Sequence, residues 1–182
     1  MTFLATTGRI LMLDGDVYSR IYHEGKTLRY CFVNLLILGI LYGLLALLFS
    51  GMLVSGEVAL QYKILFLMVG VGMVFVIHVG ISLFLWVFTK AAAGGVLSFF
   101  PLYFNVGISL AAAWPLALVL SATQSGIGGI ALYGLLSLVS LYVLSSVFVS
   151  VKSTSRLSGL RVCGAFVACA AVLVSMVYIY AF

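Results

Sequence analysis

KILFLMVGVGMVFVIHVGISLFLWVFTK, residues 63–90, decides the fold class. Between its two lysines lie 26 residues without one Asp, Glu, Lys or Arg. As a helix rising 1.5 Å per residue, that run is about 39 Å long. The hydrocarbon core of a bilayer is roughly 30 Å thick, so such a helix must tilt or protrude. Trp86 near its end suits the aromatic belt of a membrane interface.

Similar runs lie on either side. Apolar stretches at about 32–54, 64–88, 102–120, 130–151 and 162–182 predict five transmembrane helices. The chain has 182 residues, 65% of them hydrophobic and 7% charged, with a mean hydropathy of +1.32. A soluble domain carries about 25% charged residues, so this chain has too few to cover a water-facing surface. The expected fold is all-α: an integral membrane bundle spanning 32–182, preceded by a cytoplasmic segment, 1–31.

That first segment is the most polar. Val17, Tyr18, Ile21, Tyr22 and Leu28 share one helical face, opposite Arg20, His23, Glu24 and Arg29. The pattern predicts a short amphipathic helix in the membrane interface, with Asp16 as its N-cap and Gly25 interrupting it; it reads equally as a polar extension of the first span. No cleavable signal peptide is evident in the first ten residues. Further on, Gly94-Gly95 is expected to end a helix. Pro101 suits the first turn of the next, where its missing N–H costs nothing. Pro115 falls inside the third span and predicts a kink there. Segment 91–100 reads equally as a surface helix or a re-entrant loop.

Charge supplies an orientation. With the amino terminus cytoplasmic, segments 1–31, 89–101 and 152–161 are inside and hold eight of the nine basic residues, leaving only Lys63 outside. This is the asymmetry of the positive-inside rule. It places the chain in the cytoplasmic (inner) membrane with its carboxyl end outside. The formal charge of +5 is thereby explained as topology, and a nucleic-acid partner is not expected.

Candidate sites are sparse. His78 lies mid-span and Asn105 early in the third span, and polar groups at membrane depth are costly enough to suggest function. They either line a proton or substrate path, or are packing groups. For His78 the second reading, a neutral imidazole bonded to a carbonyl or hydroxyl of the next helix, is the expected one. Lys152, Arg156 and Arg161 form a basic connector suited to anionic lipid headgroups or to topology alone. Small residues at helical spacing mark packing faces: Gly164 with Ala168, Ala165 with Cys169, then Gly70, Gly72 and Gly80, and 111–113. Cys31, Cys163 and Cys169 have no metal-ligand spacing and read as packing residues. Two histidines do not make a metal cluster, so no metal or cofactor is expected. No nucleophile elbow, P-loop or dinucleotide fingerprint occurs, which argues against an enzyme.

Three stretches carry a resemblance: RILMLDGDVYSRIYHEGKTLRYCFVNLLILGILYGL (9–44), FVIHVGISLFLWVFTKAAAGGVLSFFPLYFNVGISLAAAWPLAL (75–118) and LYVLSSVFVSVKSTSRLSGLRVCGAF (141–166). In order and punctuation they resemble the Yip1 family of multi-span membrane proteins, the short prokaryotic-type members in particular. The resemblance implies a five-span bundle with a cytoplasmic amino terminus. Eukaryotic members are associated with vesicle trafficking and Rab-type GTPases, and their long amino-terminal region has no counterpart here. The expected function is that of a membrane organiser, scaffold or accessory subunit, with membrane lipids and other membrane subunits, or further copies of the chain, as partners. The alternative is a small transporter or channel with a polar path near His78 and Asn105.

Overall fold

The computed structural model describes residues 2–51, 59–92 and 97–181, with side chains through Val172 and at Ser175. Among these residues the chain is helical and has no strand. Two short helices, α1 (Phe3–Leu11) and α2 (Asp16–His23), lead into α3 (Thr27–Phe49) and α4 (Leu60–Ala92). Next come α5 (Phe99–Ser109), a 3₁₀ turn (Leu110–Ala113) and α6 (Trp114–Gln124), followed by α7 (Ile130–Ser155) and α8 (Gly159–Ala181). Four segments are long and apolar enough to cross a membrane: α3, α4, the joined Phe99–Gln124 and α7. The Gly94-Gly95 break lies outside the described residues.

Several helices overrun the apolar spans. α4 reaches from Leu60 to Ala92 and takes in both Lys63 and Lys90, because backbone hydrogen bonding continues past the point where side chains turn polar. At its far end Trp86 Nε1 donates to Leu97 O at 3.0 Å, and Lys90 sits 4.6 Å over the Trp86 ring. The third span is two helices rather than one kinked helix. Pro115 has no N–H and its ring excludes a carbonyl four residues back. The chain therefore tightens into the 3₁₀ turn just upstream, and Pro115 falls in the first turn of α6, where no donor is needed. Ala111, Ala112 and Ala113 fill that turn and are buried.

α3 and α4 are antiparallel and nearly in backbone contact. A Cβ on Gly39 would stand 2.7 Å from Val71 Cα, and one on Gly70 would stand 3.0 Å from Gly43 Cα. Without a hydrophobic drive between helices in lipid, such close approach is a principal source of cohesion. Gly72 and Gly80, expected at packing faces, have open space where a Cβ would be. On α8 it is Ala165 and Cys169 that are buried. Gly164 meets nothing within 4 Å, and Ala168 is half-buried.

The amino-terminal segment departs most from expectation. Val17, Tyr18 and Ile21 do form the apolar face of α2, but protein covers that face. They join Ile10, Tyr30, Cys31, Leu35, Ile108 and Ala111 in one buried cluster, while Tyr22 and Leu28 are exposed. The cap also differs. Gly15 precedes the helix, and it is Asp14 whose Oδ1 accepts the Asp16 N–H at 3.0 Å. Asp14 is also held by Arg9 across the α1–α2 corner, and that guanidinium, followed by the Asp16 amide, keeps its carboxyl below the usual aspartate range. Gly25, at φ +65°, makes the break between α2 and α3, a backbone conformation that costs Gly little.

One end of the bundle gathers the charge. A Cβ on Gly15 would lie 2.8 Å from Ser153 Oγ, so the amino-terminal helices pack beside the carboxyl end of α7. Antiparallel α3 and α4 bring Lys90 to that same end, and the α7–α8 connector adds Lys152, Arg156 and Arg161.

Candidate functional site: the polar seams around α5

α5 is the axis of the molecule. The joined Phe99–Gln124 segment is 61% buried through its most apolar stretch, against 11% for α4. Side chains of two neighbouring helices donate to carbonyls at the end of α5, just before the 3₁₀ turn. Asn34 of α3, fully buried, donates Nδ2–H to Ile108 O at 3.0 Å. From the opposite side Ser146 of α7 donates its hydroxyl to Ser109 O at 3.2 Å. Neither residue stood out in the sequence. The signal for Asn34 was a lone amide in an otherwise apolar span. For Ser146 it was the spacing of Ser146, Ser150 and Thr154, which lines one face of α7 at i, i+4, i+8.

That serine–threonine face holds Asn105. Its Nδ2–H donates to Thr154 Oγ1 at 2.8 Å, and Thr154 Oγ1 donates to Ser150 O at 2.7 Å. Tyr18 of α2 reaches the same row. Burial pushes its phenol pKa upward, and the Ser146 and Ser150 hydroxyls beside it pull the other way.

His78 belongs to a different seam. It is 1% exposed and meets Tyr103 edge to face, with ring centroids 4.3 Å apart. Gly107 lies beneath: a Cβ there would stand 2.8 Å from His78 Nε2 and 2.3 Å from Cys31 Sγ. Tyr103 and Gly107 are one turn apart on α5, whereas Asn105 is about 200° round the helix from each. His78 and Asn105 therefore face different neighbours. The expected hydrogen bond from His78 to a carbonyl or hydroxyl is not made: neither ring nitrogen has a hydrogen-bond partner among the described residues. Ser82 and Thr89, on the same buried face of α4, have hydroxyls in the same condition.

Lys152, Arg156 and Arg161 are exposed. Arg156 ends α7 in the left-handed region, at φ +54°. That position usually belongs to glycine, and a side chain there costs about 1–2 kcal/mol. Cys31 and Cys169 are buried while Cys163 is exposed. Among the described residues no three His, Cys, Asp or Glu side chains come together as metal ligands.

At the end away from the basic cluster, a cleft of about 700 Å³ opens between α3, α4 and α6, lined by Tyr42, Gly43, Phe66, Ser121 and Gln124 among others. Tyr42 OH donates to Gln124 Oε1 across it at 2.7 Å.

Comparison of the chain with known protein families, curated proteins and solved structures finds no match.

Proposed function

We propose that this chain is a non-enzymatic membrane protein that works through its embedded surface, as an accessory subunit or organiser of a membrane complex. The observation that carries the reading is α4. It is 33 residues long, yet only 11% of its most apolar stretch is buried. Met68, Met73, Val76, Ile77 and Leu83 face outward, and Gly72 and Gly80 leave room for a close neighbour. Asn34, His78 and Ser146, by contrast, are turned inward onto the broken span. An open apolar perimeter with small residues suits an apolar helix of another membrane protein. The Yip1 resemblance of 9–44, 75–118 and 141–166 supports five spans, with α8 the fifth, and a cytoplasmic amino terminus. The basic end of the bundle supports placement in the inner membrane. The cost of keeping Arg156 left-handed favours a role for its charge at anionic headgroups.

Extraction of the untagged protein in mild detergent, followed by native-gel mass spectrometry, tests the subunit reading. The expected result is one partner at fixed stoichiometry. Recovery only as a free monomer or homo-oligomer contradicts it.

One observation favours a second reading, a small transporter or channel. His78, Ser82 and Thr89 put unpartnered polar atoms along about 16 Å of one face of α4, and buried polar groups normally find partners. On this reading, flux through reconstituted vesicles is lost in His78→Phe. Equal flux in the variant, or none in the parent, removes it.

A further inference from the structure

A cavity of about 280 Å³ opens where the amino-terminal segment meets the first turns of α3, lined by Phe3, Lys26, Arg29, Tyr30 and Val33. Its walls differ in chemistry. Phe3 stacks on Tyr30 with ring centroids 5.3 Å apart and, with Val33, forms an apolar side. Thr6 Oγ1 donates to Tyr30 OH at 3.4 Å in a buried contact. Lys26 and Arg29 form the cationic side. Lys26 is paired with Glu24 at 2.6 Å, an exposed contact that contributes little. Arg29 is exposed, and its guanidinium makes no ion pair among the described residues.

The surroundings fix where this cavity opens. Lys26 and Arg29 sit at the very start of α3, a helix long and apolar enough to cross a membrane, and Leu4, next to Phe3, is 80% exposed. The cavity therefore lies at the level where α3 leaves the apolar layer, and its mouth faces headgroups. A guanidinium and an ammonium beside aromatic and aliphatic walls suit a ligand that is anionic at one end and apolar at the other. Arginine adds a planar fork that matches phosphate oxygens in pairs.

We propose that the Phe3–Lys26–Arg29–Tyr30–Val33 cavity binds the phosphate headgroup of one anionic phospholipid of the cytoplasmic leaflet, with its acyl chains leaving along Val33. The site is separate from the Lys152–Arg161 connector and does not depend on a protein partner. The basic charge it places at the interface is about 1 kcal/mol of attraction per residue, or about a fivefold change in affinity for each one removed.

Native mass spectrometry of the full chain in mild detergent, titrated with phosphatidylglycerol or phosphatidylcholine, tests the proposal. Wild type should retain one phosphatidylglycerol in preference to phosphatidylcholine. Arg29→Gln should weaken that first binding event about fivefold, and Lys26→Gln/Arg29→Gln further, while Lys152→Gln/Arg156→Gln/Arg161→Gln leaves it in place. Both substituted side chains lie outside the buried core, and an unchanged thermal midpoint in detergent verifies that the variants fold. Equal retention of the two lipids, or retention unchanged in the double variant, overturns the proposal. Displacement of the lipid by millimolar inorganic phosphate also overturns it, because it would identify a site for free phosphate.

Discussion

Gly39→Leu is expected to destabilise the bundle more than any substitution on a lipid-facing surface. A Cβ at this position would stand 2.7 Å from Val71 Cα, and at Gly43 it would stand 2.9 Å from Leu67 Cδ1 and 3.3 Å from Leu67 Cα. The obstacle at Gly39 is backbone, which does not rotate away, so α3 and α4 must separate along the whole contact. Overpacking of this kind costs about 1–3 kcal/mol, and here it also forfeits the dispersion contacts that hold helices together in lipid. A single interhelical hydrogen bond in a membrane averages only about 0.6 kcal/mol. Loss of the Asn34–Ile108 bond should therefore matter less than loss of the glycine contact. Unfolding in a mixed-detergent titration is the measurement. Gly39→Leu and Gly43→Leu should shift the midpoint strongly, while Gly72→Leu and Gly80→Leu, with nothing within 4 Å, should stay within about 0.5 kcal/mol of the parent. A Gly80→Leu variant as damaged as Gly39→Leu would contradict the α3–α4 contact described here.

Gly107→Ala is the second large effect expected, and it should be conditional. The new methyl would lie 2.3 Å from Cys31 Sγ and 2.8 Å from His78 Nε2, which forces both side chains from their places in the core. Cys31→Ala removes the nearer obstacle. The double variant Gly107→Ala/Cys31→Ala should recover much of the loss, with a coupling of about 1–3 kcal/mol between the two sites. Strictly additive effects would show that Gly107 and Cys31 are not in contact. Combining Gly107→Ala with Cys169→Ala is the control, because Cys169 is buried in a different cluster, against Val162 and Leu85.

The same glycines show how far the sequence could be read. Apolar runs of span length announced the long helices, since water leaves such segments no alternative but lipid or a buried core. Which face of each helix meets protein was another matter. Gly70, Gly72 and Gly80 look alike along α4, yet only Gly70 touches α3. The Gly39-xxx-Gly43 pair that receives it went unmarked in a leucine-rich run. On α8, Gly164/Ala168 and Ala165/Cys169 have the same spacing one residue apart, and spacing alone does not choose between them. Amphipathicity in 16–24 located the apolar face of α2 but not its cover, because the pattern marks a face that shuns water without distinguishing lipid from protein. His78 and Asn105 were legible as unusual residues. Their separation onto two seams depended on how α5 is rotated, and so did the reach of Asn34 and Ser146 to the Ile108 and Ser109 carbonyls.

The headgroup cavity requires the basic end of the bundle to face the cytoplasm, and the proposed five-span arrangement requires α8 to return the chain to the other side. Labelling of single cysteines by a membrane-impermeant maleimide in a Cys163→Ser background, where the two remaining native thiols are buried, tests this most directly. Ser125→Cys, in the turn after α6, and Phe182→Cys should react from outside intact cells, whereas Ser158→Cys, between α7 and α8, should react only after the membrane is opened. Reaction at Ser158→Cys in intact cells, or protection of Phe182→Cys until lysis, would contradict the orientation or the fifth crossing.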